Sequence, residues 1–217
     1  MAVAIKWFDL GTLEYKESLR QQALFLANVS RLKEGVILLF ELEKVLTLGK
    51  HAILEHVLWP EKKLQADQVS VVRSNRGGQV TAHMPGQIVC YPLLDLRSYL
   101  LGPKKLVQVL ENAVVELLSQ YGVESHVDQH FPGVWVGNEK ICSIGLNVSK
   151  HLSSHGLALN IQNDLTLFDA IRPCGIEGRG VTSLQKLTNK SYILPELKKS
   201  LAELIIAGLK LHERMLH

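Results

Sequence analysis

Short apolar runs alternate along the chain with stretches whose apolar positions recur every three to four residues, so strands and helices are both expected. Residues 3–9 read as a first strand. Leu13, Leu19, Ala23, Leu26 and Val29 then mark the buried stripe of an amphipathic helix from Thr12 to about Lys33, ended by Gly35. Val36–Phe40 reads as a buried strand with Val45–Leu48 as its neighbour. Residues 51–68 have no clean period and carry Trp59-Pro60, so a surface excursion is expected before a short strand at 69–72. Residues 88–94 form another buried strand. Gly102-Pro103 then opens a helix from Lys104 to about Tyr121, with Leu106, Val109, Leu110, Val114, Leu117 and Leu118 inward and Gly122 as its stop. Residues 134–136 and 141–148 pair through the Gly137-Asn138 turn, and residues 156–161 supply a further strand. Asn163-Asp164 caps a short helix ending at Arg172-Pro173, and the last helix runs from Leu194 to about Met215. Strands dominate, which predicts an α+β fold: a single domain over 1–217 with one mostly antiparallel sheet and helices packed on a face.

Composition narrows the function. Of 217 residues 47% are apolar, enough for a substantial core, and the net charge of +3 from 24 basic and 21 acidic residues is too small to argue for nucleic acid. No run approaches the roughly 18 apolar residues that span a bilayer, and charge interrupts the N-terminus too early for a secretory segment. Cys90, Cys142 and Cys174 are odd in number and fit no metal or CxxC spacing. A cytoplasmic protein without disulfides, metal or membrane contact is expected, with a monomer as the default.

One stretch stands out chemically. Arg76-Gly77-Gly78-Gln79-Val80-Thr81-Ala82-His83-Met84-Pro85-Gly86-Gln87 is a polar, basic, glycine-rich loop feeding a core strand, as the wall of a small-molecule pocket would be. Further on come Lys140-Ile141-Cys142-Ser143-Ile144-Gly145, His155-Gly156-Leu157-Ala158-Leu159-Asn160 and Pro173-Cys174-Gly175-Ile176. These four blocks, in this order, resemble the lipoyl(octanoyl) transferases. The separation of Lys140 and Cys174, 174 − 140 = 34 positions, is similar to that of the family's catalytic pair. The resemblance implies the fold of lipoate ligases and biotin ligase catalytic domains. It implies transfer of octanoyl from acyl carrier protein to a lysine of lipoyl domains, including glycine cleavage H protein, without a cofactor. It also implies Cys174 and Lys140 as catalytic residues and Arg76 to His83, Ser143, Ile144, Gly145, Gly156, Leu157 and Ala158 as acyl-substrate contacts.

Taken alone, Cys90 and Cys142 sit in apolar strands and read as core fillers. Cys174, between proline and glycine after a helix, is the one placed to expose its sulfur. A neighbouring ammonium favours the reactive thiolate, which is the physical reason to pair it with Lys140. Lys140 or His83 could serve as general base toward the incoming lysine, and backbone N–H groups near Gly77-Gly78 could stabilise an oxyanion. The chain departs from the family pattern at Ala82, where an aromatic residue is usual, and at Met84, which replaces a glycine. If that glycine needs a positive φ, methionine strains the loop. An ATP-dependent lipoate ligase and a non-catalytic lipoyl-domain-binding paralogue are the competing readings.

Overall fold

The computed structural model describes residues 4–32, 34–172 and 179–215, with side chains to residue 212. Its strands are β1 (Ile5–Leu13), β2 (Gly35–Leu42), β3 (Val45–Leu48), β4 (Ser70–Arg73), β5 (Val80–His83), β6 (Gln87–Leu93), β7 (His126–Val127), β8 (Gly133–Val136), β9 (Glu139–Ser149), β10 (Leu152–Asn160) and β11 (Gly180–Val181). The helices are α1 (Tyr15–Leu32), α2 (Glu61–Ala66), α3 (Pro103–Ser119), α4 (Leu184–Thr188) and α5 (Leu194–Met215).

The large sheet has the order β1-β2-β6-β10-β9-β8-β7, with β11 added beside β9. It is mostly antiparallel; β1 runs parallel to β2, and β11 parallel to β9. A second sheet, β4-β3-β5, stands apart from it. The expectation that Val45–Leu48 neighbours residues 36–40 in one sheet is therefore corrected. β3 turns away from β2 and pairs with β4 and β5. An apolar strand looks the same whichever sheet receives it, so the pattern could not choose. Residues 51–68 are likewise not wholly irregular: a 3₁₀ turn at Leu54–His56 and α2 lie within them. The short element after Asn163-Asp164 is a 3₁₀ helix, Leu165–Ala170, and of that pair Asp164 is the cap, accepting the Thr166 N–H.

Helices cover both faces of the large sheet rather than one. Ile37, Leu39, Ile88, Cys90, Leu157 and Leu159 pack against α3 and α5, while the alternate residues Val36, Leu38, Phe40, Val89 and Tyr91 pack toward Tyr15 and Val29 of α1. The small sheet closes its own cluster with Leu64 of α2 and Leu167 and Phe168 of the 3₁₀ helix. In α3, Gly102 stands before Pro103 at the first turn, where the missing N–H costs nothing.

One charged group lies deep in this frame. Lys198 of α5 is 2% exposed and pairs with Asp9 of β1 at 2.9 Å and Glu41 of β2 at 3.3 Å. The other oxygen of Glu41 accepts the Gly86 N–H at 2.9 Å, so the Pro85-Gly86 turn is tied through β2 to the last helix.

Candidate active site

The glycine-rich stretch is half loop and half strand: residues 76–79 form a loop, and Val80–His83 is β5. It lies against β9, with the Gly77 N–H donating to Leu146 O at 2.9 Å. A Cβ on Gly145 would stand 2.9 Å from Gly77 O, so the two backbones meet only because Gly145 has none. The same bond commits the Gly77 N–H, which removes it as an oxyanion donor; Gly78 keeps that candidacy.

Arg76 fixes the loop from inside. Its Nε donates to Thr47 Oγ1 at 3.0 Å, Nη2 to the same oxygen at 2.8 Å and to Thr47 O, and Nη1 to Gly77 O at 2.9 Å. Gln87 Nε2 donates to Asn160 Oδ1 at 2.9 Å, so its Oε1 faces His83 Nδ1 at 2.8 Å as an acceptor. His83 therefore carries its proton on Nδ1, and Nε2 accepts from the Thr47 hydroxyl at 3.3 Å. The chain continues from Asn160 Nδ2 to Thr182 O at 3.0 Å. Burial, then the Arg76 charge, depress the His83 pKa to about 3, against the pull of its bond to Gln87. Both nitrogens of this neutral ring are engaged, which makes His83 a scaffold residue and a poor base.

Between this loop, β6, β8, β9 and β10 lies a mostly apolar cavity of about 500 Å³. Arg76, Gly77, Gly78, Gln79, Val80, Thr81 and His83 line one wall; Ser143, Ile144, Gly145, Gly156, Leu157 and Ala158 line another, and Lys140 stands in the wall with them. Ala82 is placed elsewhere. It is fully buried in the small sheet's cluster, as strand alternation requires once Thr81 and His83 face the cavity. Met84 does not have a positive φ, so the anticipated strain is absent; its sulfur accepts from Asn163 Nδ2 at 3.0 Å. Cys174 lies outside the described residues. Cys90 and Cys142 are buried in the sheet, and burial pushes both thiols far above their usual pKa.

Several lining residues were not legible in the sequence. Tyr15, Val89, Tyr91, Leu146, Trp135 and Arg179 all face the cavity; the alternation of β6 could have singled out Val89 and Tyr91, but nothing local marks the others. His155 has φ +55°, unusual for a non-glycine, and is held there by Gln22, whose Oε1 accepts its N–H at 2.7 Å, and by Asn75 at Nε2. Lys140 is 8% exposed; its Nζ donates to Pro132 O at 3.2 Å and lies 4.7 Å from the Trp135 ring centre. Arg179 stacks 4.7 Å from the same ring and pairs with Asp128 at 2.7 Å.

The comparisons bear on this arrangement. Residues 14–206 match the sequence profile described as the lipoyl protein ligase A/B catalytic domain. An octanoyltransferase of Desulfovibrio desulfuricans is 39% identical over 181 residues, which is 83% of this chain and 76% of that protein. The chain belongs to the octanoyltransferase family. In fold it is similar to a bipartite lipoate protein ligase of Thermoplasma acidophilum, with TM-score 0.68, 12% identity and coverage of 97% and 84% of the two chains. It is also similar to the biotin protein ligase of Aquifex aeolicus, with TM-score 0.56, 15% identity and coverage of 99% and 72%. The expected α+β class and its likeness in fold to these ligases therefore hold. Among the described residues no helix is long and apolar enough to cross a membrane.

Proposed function

We propose that this family member transfers octanoyl from acyl carrier protein to a lysine of lipoyl domains, glycine cleavage H protein among them, through a thioester on Cys174. The observation that carries the reading is the apolar cavity with one buried lysine, Lys140, in its wall. Such a space accepts an alkyl chain and excludes water, and a desolvated ammonium acts strongly on a neighbouring thiol.

In the first half-reaction the Cys174 thiolate attacks the thioester carbonyl. A new C–S bond forms, the donor's C–S bond breaks, and the carrier sulfur leaves as a thiol with the proton of the Lys140 ammonium, which is left as the neutral amine. In the second, the acceptor amine attacks the enzyme thioester, a C–N bond forms, the Cys174 C–S bond breaks, and the amine's proton passes to a base. Lys140 takes that role because His83 has both nitrogens committed within the wall. The Gly78 N–H is the candidate oxyanion donor. Arg76 to His83, Ser143, Ile144, Gly145, Gly156, Leu157 and Ala158 enclose the acyl chain, with Ala82 acting only from behind. Thioester exchange is nearly balanced and aminolysis is downhill, so neither ATP nor a cofactor enters, and the reaction suits a reducing cytoplasm. The relaxed φ of Met84 and the core position of Ala82 weigh against a non-catalytic paralogue.

Intact-mass measurement after incubation with octanoyl-acyl carrier protein, without ATP, tests this. One octanoyl group is expected on the wild type and none on Cys174→Ser, and an apo lipoyl domain should discharge it. Adduct formation on Cys174→Ser, or loading only with ATP and free octanoate, would overturn the reading.

A further inference from the structure

The least explained charged group near the cavity is Glu111. It sits on the buried side of α3, 5% exposed, among Leu110, Ala113 and Val114, where a leucine would satisfy the helix pattern. Its Oε1 accepts the Gly133 N–H at 3.0 Å. On the other edge of that same peptide group, Pro132 O accepts from Lys140 Nζ at 3.2 Å. One planar amide thus lies between a buried carboxylate and the lysine, its dipole aligned with both: N–H toward the anion, C=O toward the cation.

The backbone is shaped for this. Gly133 has φ +129°, and a Cβ there would collide with Cys142 O, so no other residue presents the amide in this orientation. Trp135, whose Nε1 donates to Phe131 O at 3.1 Å, closes the adjoining side. Burial raises the Glu111 carboxyl pKa, while the Gly133 N–H and the Lys140 charge draw it down.

We propose that Glu111 is a positioning residue for Lys140, its carboxylate acting through the Pro132–Gly133 peptide to hold the ammonium at the cavity wall. This rests on the Cys174–Lys140 chemistry above and assigns its electrostatic support. Among the described residues, charged and titratable groups facing Lys140 include Glu111 from α3, Cys142 from its own strand, and Arg179 across the Trp135 ring. Cys142 is held neutral by burial and Arg179 carries the same sign as the lysine, so Glu111 is the group among these whose charge attracts the ammonium.

The experiment is the pH dependence of single-turnover octanoyl capture by the full chain, for wild type, Glu111→Gln and Lys140→Ala, with folding checked by circular dichroism. Glu111→Gln retains an acceptor for Gly133 but loses the charge. The basic limb of its profile is expected to move to lower pH, because the anion that faces the ammonium through the amide is gone. A Glu111→Gln profile superimposed on the wild type, with Lys140→Ala impaired, overturns this inference alone. A Lys140→Ala variant that captures octanoyl with the wild-type rate and profile overturns the catalytic pair instead. Should Glu111→Gln not fold, Glu111→Asp takes its place: it keeps the charge but withdraws it from the amide, and a several-fold slower capture is expected. An unchanged rate overturns the proposal.

Discussion

His83 and His155 stand neutral in the cavity wall and are costly to protonate there. Burial is the first cause for each, and the Arg76 charge the second, depressing their pKa values to about 3 and about 4. A histidine whose folded pKa lies below its unfolded value of about 6.5 contributes its full stabilisation above that value. Between pH 6.5 and 4 the unfolded chain binds protons that the native chain refuses, so stability falls on acidification. We expect chemical denaturation to show a loss on the order of a few kcal/mol between pH 6.5 and 4.5, with a shallower slope in His155→Gln. At this scale the sequence marked His83 and Gln87 but not Thr47. Thr47, 36 positions from His83, accepts from the Arg76 guanidinium and donates to the His83 ring, and no local spacing announces a contact of that range.

β9 and β10 were readable because each alternates or runs apolar between turn signals, and Gly137 adopts the positive φ, +55°, that a tight turn after β8 needs. The β3–β5 pairing was not, since apolar strands carry no address and the glycine-rich stretch disguised β5 as loop. These two elements meet at the Gly77–Gly145 contact, where the loop rests on β9. Gly145→Ala puts a methyl group against Gly77 O, with no flexible side chain to yield, so the loop must lift from the strand. We expect octanoyl capture to fall at least tenfold and stability by about 1–3 kcal/mol, the overpacking range, as read by single-turnover mass spectrometry and urea unfolding. A variant with wild-type values in both would mean the loop is free to shift.

Across the whole molecule, three apolar clusters share the large sheet or abut it, and Lys198 binds α5 to β1 and β2 from within. Replacing Lys198 by methionine leaves Glu41 and Asp9 facing each other without a cation. Breaking a buried ion pair costs about 3–5 kcal/mol, and the partial exposure of Asp9 places this one at about 3. A thermal melt of Lys198→Met should show it, together with slower octanoyl capture as the Gly86 tether loosens. Nothing local in the sequence marks Lys198 as buried, because its two carboxylate partners lie far back in the sequence. That distance has a consequence for biosynthesis. Gly86 leaves the ribosome 198 − 86 = 112 residues ahead of the lysine that steadies its anchor, so a nascent chain carries the loop for seconds before the anchor exists. An unfinished chain would hold its loop without that anchor, and acyl groups would be taken up at the full rate only by molecules whose synthesis had passed α5.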